Sequence, residues 1–332
     1  MLIDRRNFVL GSAAVAFGSA LVPSRAFGRL FSPQILHWSM TSPHTNAVAK
    51  LELGGNSLAI SSNGEVMVID TKFPYLGAAL REDAVALAGG GIESVAMLNT
   101  HHHGDHTGGN NAFVGHGECY AHAKAIERIA GQFDRYQAGM KGAVAQANRN
   151  FPDSHVLAQL AAELAERADE LEAEDWVPTH AIANGEALKV GELDLSISHF
   201  GPGHTDNDVV VRLEQDNLVH TGDLVFSGLH PFFDPDGGGS ALGWIDSLKA
   251  VLELCDGDTV VVPGHGPVGG QEIVVAAKDY MEKLVAAVQY EIERGTPKDK
   301  VTEMSWPFMD GLGFEQIRSR AIDFVYDELS SQ

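Results

Sequence analysis

The stretch "NTHHHGDHTGGN", Asn99 to Asn110, places four histidines and an aspartate within a dozen residues. Histidine is both the commonest nitrogen ligand of metals and the side chain that titrates near neutral pH. The stretch therefore holds a metal, relays protons, or is no more than a polar loop. Just before it, "ESVAMLNT" is a short apolar run that reads as a strand, so the histidines emerge at a strand's C-terminal end. Alternate side chains of an extended segment share a face, which lets His101 and His103 turn toward one ion. By the same alternation His102 points away, toward solvent or, as the less favoured reading, to a place behind the other donors. The chain then turns, and Asp105 and His106 present donors one step further along.

Three later clusters decide between the readings. Gly201-Pro202-Gly203-His204-Thr205, Thr221-Gly222-Asp223 and Pro263-Gly264-His265-Gly266 each sit at or just beyond the end of a predicted strand. In layered α/β folds such ends converge on one rim, where ligands bind. His101, His103 and His204 then supply three nitrogen donors and leave a coordination position open, the mark of a catalytic zinc site. Asp105, His106 and His265 can build a second site beside it, with Asp223 bridging the two. Ions so arranged lie about 3.5–4 Å apart and share a water or hydroxide.

The remainder of the chain supplies the scaffold. "AVAKLEL", "NSLAISS" and "EVMVIDT" read as an antiparallel meander, followed by a helix near 75–88. Residues 123–175, rich in Ala, Glu, Arg and Leu, read as an inserted helical region broken at Pro152 and Asp153, with a long second helix running on to Trp176. This insertion offers a lid, a homodimer surface or an ordinary solvated helical pair, and the last is preferred. Strands return with "EALKV", "ELDLSISHF", "DVVVRLE", "NLVHTGD" and "DTVVVPGHG", with helices near 240–254 and 271–294. Two groups of strands, each closed by helices, predict a four-layer α/β sandwich of two mixed sheets with outer helices. Residues 296–332 read as a helical tail after a main domain of 27–295 that carries all four motif clusters.

Composition narrows the function. The chain has 332 residues, 44% of them hydrophobic and 20% charged, as expected of a globular protein. Its 45 acidic residues against 23 basic ones give a net charge of −22, which repels phosphate backbones and argues against nucleic acid as a partner. The first residues, "MLIDRRNFVLGSAAVAFGSALVPSRAFG", have the layout of an export signal: Arg5-Arg6, an apolar run from Phe8 to Val22, then Ser24-Arg25-Ala26. The expectation is a twin-arginine signal, residues 1–26, cleaved after Ala26, with a periplasmic or secreted product that has no membrane partner once the signal is gone. Two cysteines, Cys119 and Cys255, are too few for a disulfide framework; they could form one bridge in an oxidising compartment, and two buried free thiols are the preferred reading.

His-x-His-x-Asp-His followed in order by Gly-His-Thr, Thr-Gly-Asp and Pro-Gly-His-Gly resembles the metallo-β-lactamase-fold hydrolase superfamily, over roughly Ala47 to Tyr290. That resemblance implies an αβ/βα sandwich with a dinuclear site at its rim. It places His101, His103 and His204 on one ion and Asp105, His106 and His265 on the other, with Asp223 between. An aspartate at 223 looks more like glyoxalase II and the lactonases than like many zinc β-lactamases, which carry Cys or Ser there. His103 stands where flavodiiron relatives carry Glu. The basic residues of a glutathione-binding tail are missing.

The expected activity is zinc-dependent hydrolysis of an ester, lactone, thioester or β-lactam amide of a small-molecule substrate. Two zinc ions, with iron or manganese as the alternatives, would activate water near neutral pH. Asp105 is expected to ligate and to orient the nucleophile. His230, in the loop after the bridging aspartate, is a candidate for touching substrate, and Phe226, Phe232 and Phe233 read as core packing or as a pocket wall. Asp208 is expected to cap or orient a ligand, and His199 and His220 to be packed or hydrogen-bonded. The alternatives are a persulfide dioxygenase-like oxidoreductase holding one iron and a non-catalytic metal-binding module.

Overall fold

The alternation of side chains along each strand explains how this sequence builds its layers. In the computed structural model, which describes residues 39–40, 48–50, 53–149, 151–152 and 155–331, two sheets stand face to face. The expected export signal lies outside the described residues. The first sheet runs in chain order: β1 (Ser39–Met40), β2 (Val48–Lys50), β3 (Ser57–Ser62), β4 (Glu65–Ile69), β5 (Ala96–Leu98), β6 (Cys119–His122) and β7 (His180–Ile182). It is antiparallel from β1 to β4 and parallel from β4 to β7. The second comprises β8 (Ala187–Val190), β9 (Leu193–Ser198), β10 (Val210–Leu213), β11 (Leu218–His220) and β12 (Val260–Val262). Only its β11–β12 pair is parallel.

Successive residues point to opposite faces. Leu58, Ile60, Met67 and Ile69 of the first sheet meet Leu195, Ile197, Val211, Leu218 and Val262 of the second in an inner core. Their neighbours Ala59, Val66, Val68 and Met97 face outward onto α1 (Gly77–Leu87) and the insertion. On the far side Val210, Val219 and Val261 pack under α7 (Ala241–Glu253) and α8 (Gln271–Glu293). Helix, sheet, sheet, helix is the four-layer sandwich that the two strand groups predict.

The structure departs from the sequence reading in three places. Strands β6 and β7, which the sequence reading does not identify, flank the insertion and join the first sheet in parallel. The insertion is four short helices, α3 (Ala123–Gly131), α4 (Phe133–Lys141), α5 (Ala143–Ala147) and α6 (Val156–Arg167), and the last stops well before Trp176. Nor is 296–332 a separate tail. Val301 of α9 (Lys298–Val301), Met309, and Ala321, Ile322 and Val325 of α10 (Arg318–Ser330) are buried in the same core as α7 and α8. Cys119 and Cys255 are free thiols. Among the described residues no helix is long and apolar enough to cross a membrane.

Candidate metal centre

All the motif loops leave their strands at one rim. His101, His103 and a single helical turn, α2 (Gly104–Thr107), follow β5; His204 follows β9; Asp223 follows β11; His265 follows β12. Crossing hydrogen bonds hold the sheets in register there. Asn56 donates to Pro263 O at 2.8 Å and to Gly266 O at 2.9 Å, and Val209 N–H donates to Thr100 O at 2.7 Å. A Cβ on Gly264 would overlap the Asp223 carboxylate, and one on Gly55 would overlap the His106 ring, so glycine is what lets these loops close on the site.

The seven expected ligands come together as two donor groups, His101, His103, His204 with Asp223, and Asp105, His106 with His265. Asp223 lies between the groups. Its carboxylate is 3.7 Å from His101 Nε2 and 3.4 Å from His204 Nε2 on one side. On the other it is 3.1 Å from His106 Nε2 and 3.4 Å from His265 Nε2. Asp105 is 3.2 Å from His265 Nε2.

Four of the imidazoles turn one nitrogen into the cluster while the other is pinned to an oxygen outside it. His101 Nδ1 meets Thr100 Oγ1 at 3.0 Å, and His106 Nδ1 meets Asp70 at 2.7 Å. His204 Nδ1 donates to Phe232 O at 2.8 Å. His103 is reversed, with Nε2 2.7 Å from Asp234 and Nδ1 2.9 Å from His204 Nε2. Such partners fix tautomer and ring orientation and raise ligand basicity. Asp70 and Asp234 escape the sequence reading, although Asp70 lies within the quoted strand segment "EVMVIDT" and Asp234 stands four residues after His230. An acidic residue just past a strand at the ligand rim is the signal that could have found Asp70.

Electrostatics divides the cluster. Burial, with His106 nearby, holds the His101 imidazole well below its usual value, and burial brings His204 down to about 3 against the pull of Asp223. Both rings are therefore held neutral, the form in which an imidazole can ligate a metal. Burial works against protonation of His106 and His265 too, yet Asp223 and Asp105 outweigh it, raising His106 and bringing His265 up to about 9. Despite burial, Asp223 stays far below the usual carboxylate range because His106, His265 and His101 surround it. Burial pushes Asp208 up to about 7, while it accepts Thr205 N–H at 2.9 Å and Thr205 Oγ1–H at 2.6 Å, and so shapes the turn that carries His204.

A metal pair fits these residues. Among the described residues His101 Nε2 and Asp223 Oδ1 are buried with no hydrogen-bond partner, although Asp223 Oδ1 lies 3.1 Å from His106 Nε2. Buried polar atoms left so are costly unless something else satisfies them. Nitrogen and carboxylate donors with imidazole in the majority suit zinc, iron or manganese. The two groups open into a cavity of about 670 Å³, whose walls include Phe226, Phe232, Asp234 and Phe314.

Other expected residues fall elsewhere. His230 does not join the cavity lining: it is fully buried, with Nδ1 2.8 Å from the Tyr280 hydroxyl and Nε2 3.1 Å from Glu315. Both nitrogens are engaged in bracing α8 against the C-terminal segment, which leaves none for substrate. Phe233 packs beneath Trp244 and Phe324. His102 is buried rather than solvent-facing, beside Asn207 at 3.0 Å and Asp234 at 3.4 Å. His199 hydrogen-bonds Asp208 O at 2.8 Å, and His220 accepts Gly222 N–H at 3.2 Å.

Comparison with known proteins agrees with this geometry. A metallo-beta-lactamase type 2 from Bacillus cereus is 30% identical over 29% of this chain and 37% of its own length. A hydroxyacylglutathione hydrolase from Xanthomonas axonopodis pv. citri is 25% identical over 62% of this chain and 58% of its own. An acyl-coenzyme A thioesterase from Bos taurus is 23% identical over 69% and 79%. The chain spans less than half the length of the first curated relatives it matches. Among solved structures, a metallo-beta-lactamase family protein from Thermus thermophilus superposes with a TM-score of 0.57 at 19% identity, covering 87% of this chain and 90% of that one. A sec-alkylsulfatase from Pseudomonas gives 0.61 at 15% identity, covering 85% and 48%. These two show the fold alone. Residues 51–265 match the description of the Metallo-beta-lactamase superfamily, and the chain belongs to that superfamily.

Proposed function

We propose that the chain is a dinuclear metal-dependent hydrolase that cleaves a carbonyl-centred bond: an ester, lactone, thioester or β-lactam amide. The observation that carries this reading is Asp223, buried and within 3.7 Å of imidazole nitrogens from both donor groups. His101, His103 and His204 would hold one ion, Asp105, His106 and His265 the other, and Asp223 both. When bound, two zinc ions supply a water of lowered pKa and a Lewis acid beside the scissile carbonyl. The chain does the rest. Asp105, facing the cavity, offers a carboxylate oxygen to the proton of the attacking water and so sets its direction. Asp70, Thr100, Asp234 and the Phe232 carbonyl keep four ligand rings in the required tautomer. Phe226, its ring stacked on His265 at 5.1 Å, and Phe232 exclude bulk water from that side.

The hydrolase relatives support the reaction class, and the chemistry of their names reaches this chain only as a proposal. A zinc-reconstituted protein is expected to bind close to two ions and to turn over at least one of a β-lactam, a lactone and a thioester. Binding of a single iron, with oxygen consumed in the presence of a thiol substrate, would overturn this reading. So would a metal-loaded protein inert toward every carbonyl compound. Export by the twin-arginine route, with cleavage after Ala26, forms part of the proposal and is supported by residues 1–26 of the sequence.

A further inference from the structure

Helices α3 and α4 form one wall of the metal cavity. Arg128 of α3, Gln132 at the junction of the two helices, and Arg135 and Gly139 of α4 all line the cavity. The chain locks this wall in place from beside it. Tyr136, next to Arg135, sets its hydroxyl 2.6 Å from Thr107 Oγ1 and donates to His102 O at 3.3 Å. Its ring is stacked on Trp176 at 5.9 Å, and Trp176 donates to Gly108 O at 2.8 Å. The wall is thus anchored to the ligand loop itself. A solvated helical pair would need no such anchor.

The two arginines on this wall differ. Arg128 is committed: Nε and Nη2 donate to Asp206 at 3.0 and 2.8 Å, and Nη1 donates to Asp236 O at 2.8 Å. Arg135 is exposed in the wall, and its guanidinium has no hydrogen bond or ion pair among the described residues. A planar fork of five N–H donors is built to grip a carboxylate through two parallel hydrogen bonds. Gln132 and Gln146 stand on the same cavity with neutral donors to add. The net charge of −22 repels anions at long range, so an anionic substrate needs a local cation to be held here.

We infer that Arg135 is the substrate-recognition residue of this cavity, and that it binds a carboxylate on one arm of the acyl compound whose carbonyl is hydrolysed. The inserted helices are then the specificity wall of the enzyme. This rests on the hydrolase reading above.

The test uses the zinc-loaded full chain and two esters, neutral 4-nitrophenyl acetate and the mono-4-nitrophenyl ester of glutaric acid. Wild type is expected to have the higher kcat/KM on the charged ester, with a preference that shrinks as salt is raised. Arg135→Ala should lower the charged-to-neutral ratio tenfold or more, chiefly through KM; Arg135→Lys should recover part of it and Arg135→Glu invert it. Lys141→Ala, a change elsewhere on α4, should keep the wild-type ratio. Arg135→Ala should melt with wild type, since the side chain is exposed. An unchanged ratio in Arg135→Ala overturns the inference. Calorimetric binding of glutarate to the zinc-loaded protein separates this from the hydrolase reading. Glutarate bound several-fold more weakly by Arg135→Ala, with neither ester hydrolysed, sinks the hydrolase reading and keeps the recognition role. Equal affinity for both proteins, or none for wild type, sinks the recognition role whatever the esters do.

Discussion

At the scale of single residues, the carboxylate of Asp70 controls more of the site than its position off the metal suggests. It accepts Thr100 N–H and Thr100 Oγ1–H, both at 2.8 Å, and meets His106 Nδ1 at 2.7 Å, while Thr100 Oγ1 reaches His101 Nδ1 at 3.0 Å. One side chain therefore orients a ligand of each donor group. Asp70→Asn puts an NH₂ where an acceptor is needed, and metal affinity should fall roughly 10–100-fold. Chelator competition would show the loss at both ions; a loss confined to one would mean the Thr100 branch carries nothing. His220 gives a pH prediction. Burial lowers its imidazole to about 4, against an unfolded value near 6.5, so the folded state binds fewer protons between those values. Its contribution is present above about pH 6.5 and is lost as pH falls through 4, a change of at most about 3 kcal/mol. His220→Asn, which keeps an acceptor for Gly222 N–H, should flatten urea-measured stability over that window; an unchanged slope would refute the assignment. The ligands were legible because each closes a short motif at a strand end. Asp70 and Asp234 were not, because they reach His106 and His103 across 36 and 131 residues, and a linear motif has no place for such a partner.

At the scale of elements, caps explain both what could be read and what could not. Helix α7 begins at Ser240, whose Oγ accepts Gly243 N–H at 3.0 Å. Glu328 of α10 adds a carboxylate at the same helix end, accepting from Ser240 Oγ at 2.7 Å and Ala241 N–H at 2.6 Å. An anion at a helix N-terminus is favourable, so Glu328→Ala should cost about 1–2 kcal/mol and lower Tm by a few degrees. Calorimetry on Glu328→Ala and Ser240→Ala checks it, and a melting point equal to wild type would show the cap to be dispensable. Ser240 was visible in the sequence; Glu328 was not. Strands β6 (CYAH) and β7 (HAI) were missed because they lack the apolar run, closed by a motif, that marks the equally short β5, β11 and β12. Helix α6 stops at Arg167 because the residues beyond it, Asp169, Glu170, Glu172, Glu174 and Asp175, would crowd carboxylates onto the negative end of the helix dipole. Trp176 is also drawn off the helix line to reach Gly108 O.

At the scale of the whole molecule, the two strand groups made the four-layer architecture legible, since period-two patterns specify which face of each sheet is buried. The C-terminal segment was misread because a Gly-Thr-Pro-Lys-Asp break after α8 looks like a boundary, whereas Val301, Met309 and Val325 return the chain to the α7–α8 core. Export is also a property of the whole chain. Replacing Arg5 and Arg6 together by lysine should abolish passage to the periplasm if the twin-arginine route is used, because that route distinguishes the two cations while a general secretory signal needs only positive charge. Fractionation of cells carrying the variant decides it: normal periplasmic levels would refute the route.

The participation of Phe314, Gln316 and Ile317 in the cavity wall has a consequence for how the protein is made. Synthesis runs from N-terminus to C-terminus, so the histidines at 101–106 leave the ribosome first, His204, Asp223 and His265 later, and this piece of wall last of all. A nascent chain already carries its metal-binding side chains while the chamber around them is still open to the cell. An ion captured before that wall folds would meet an open donor set, whereas one captured afterwards would have to pass Phe314, so the timing of loading relative to folding decides what stands between ion and donors.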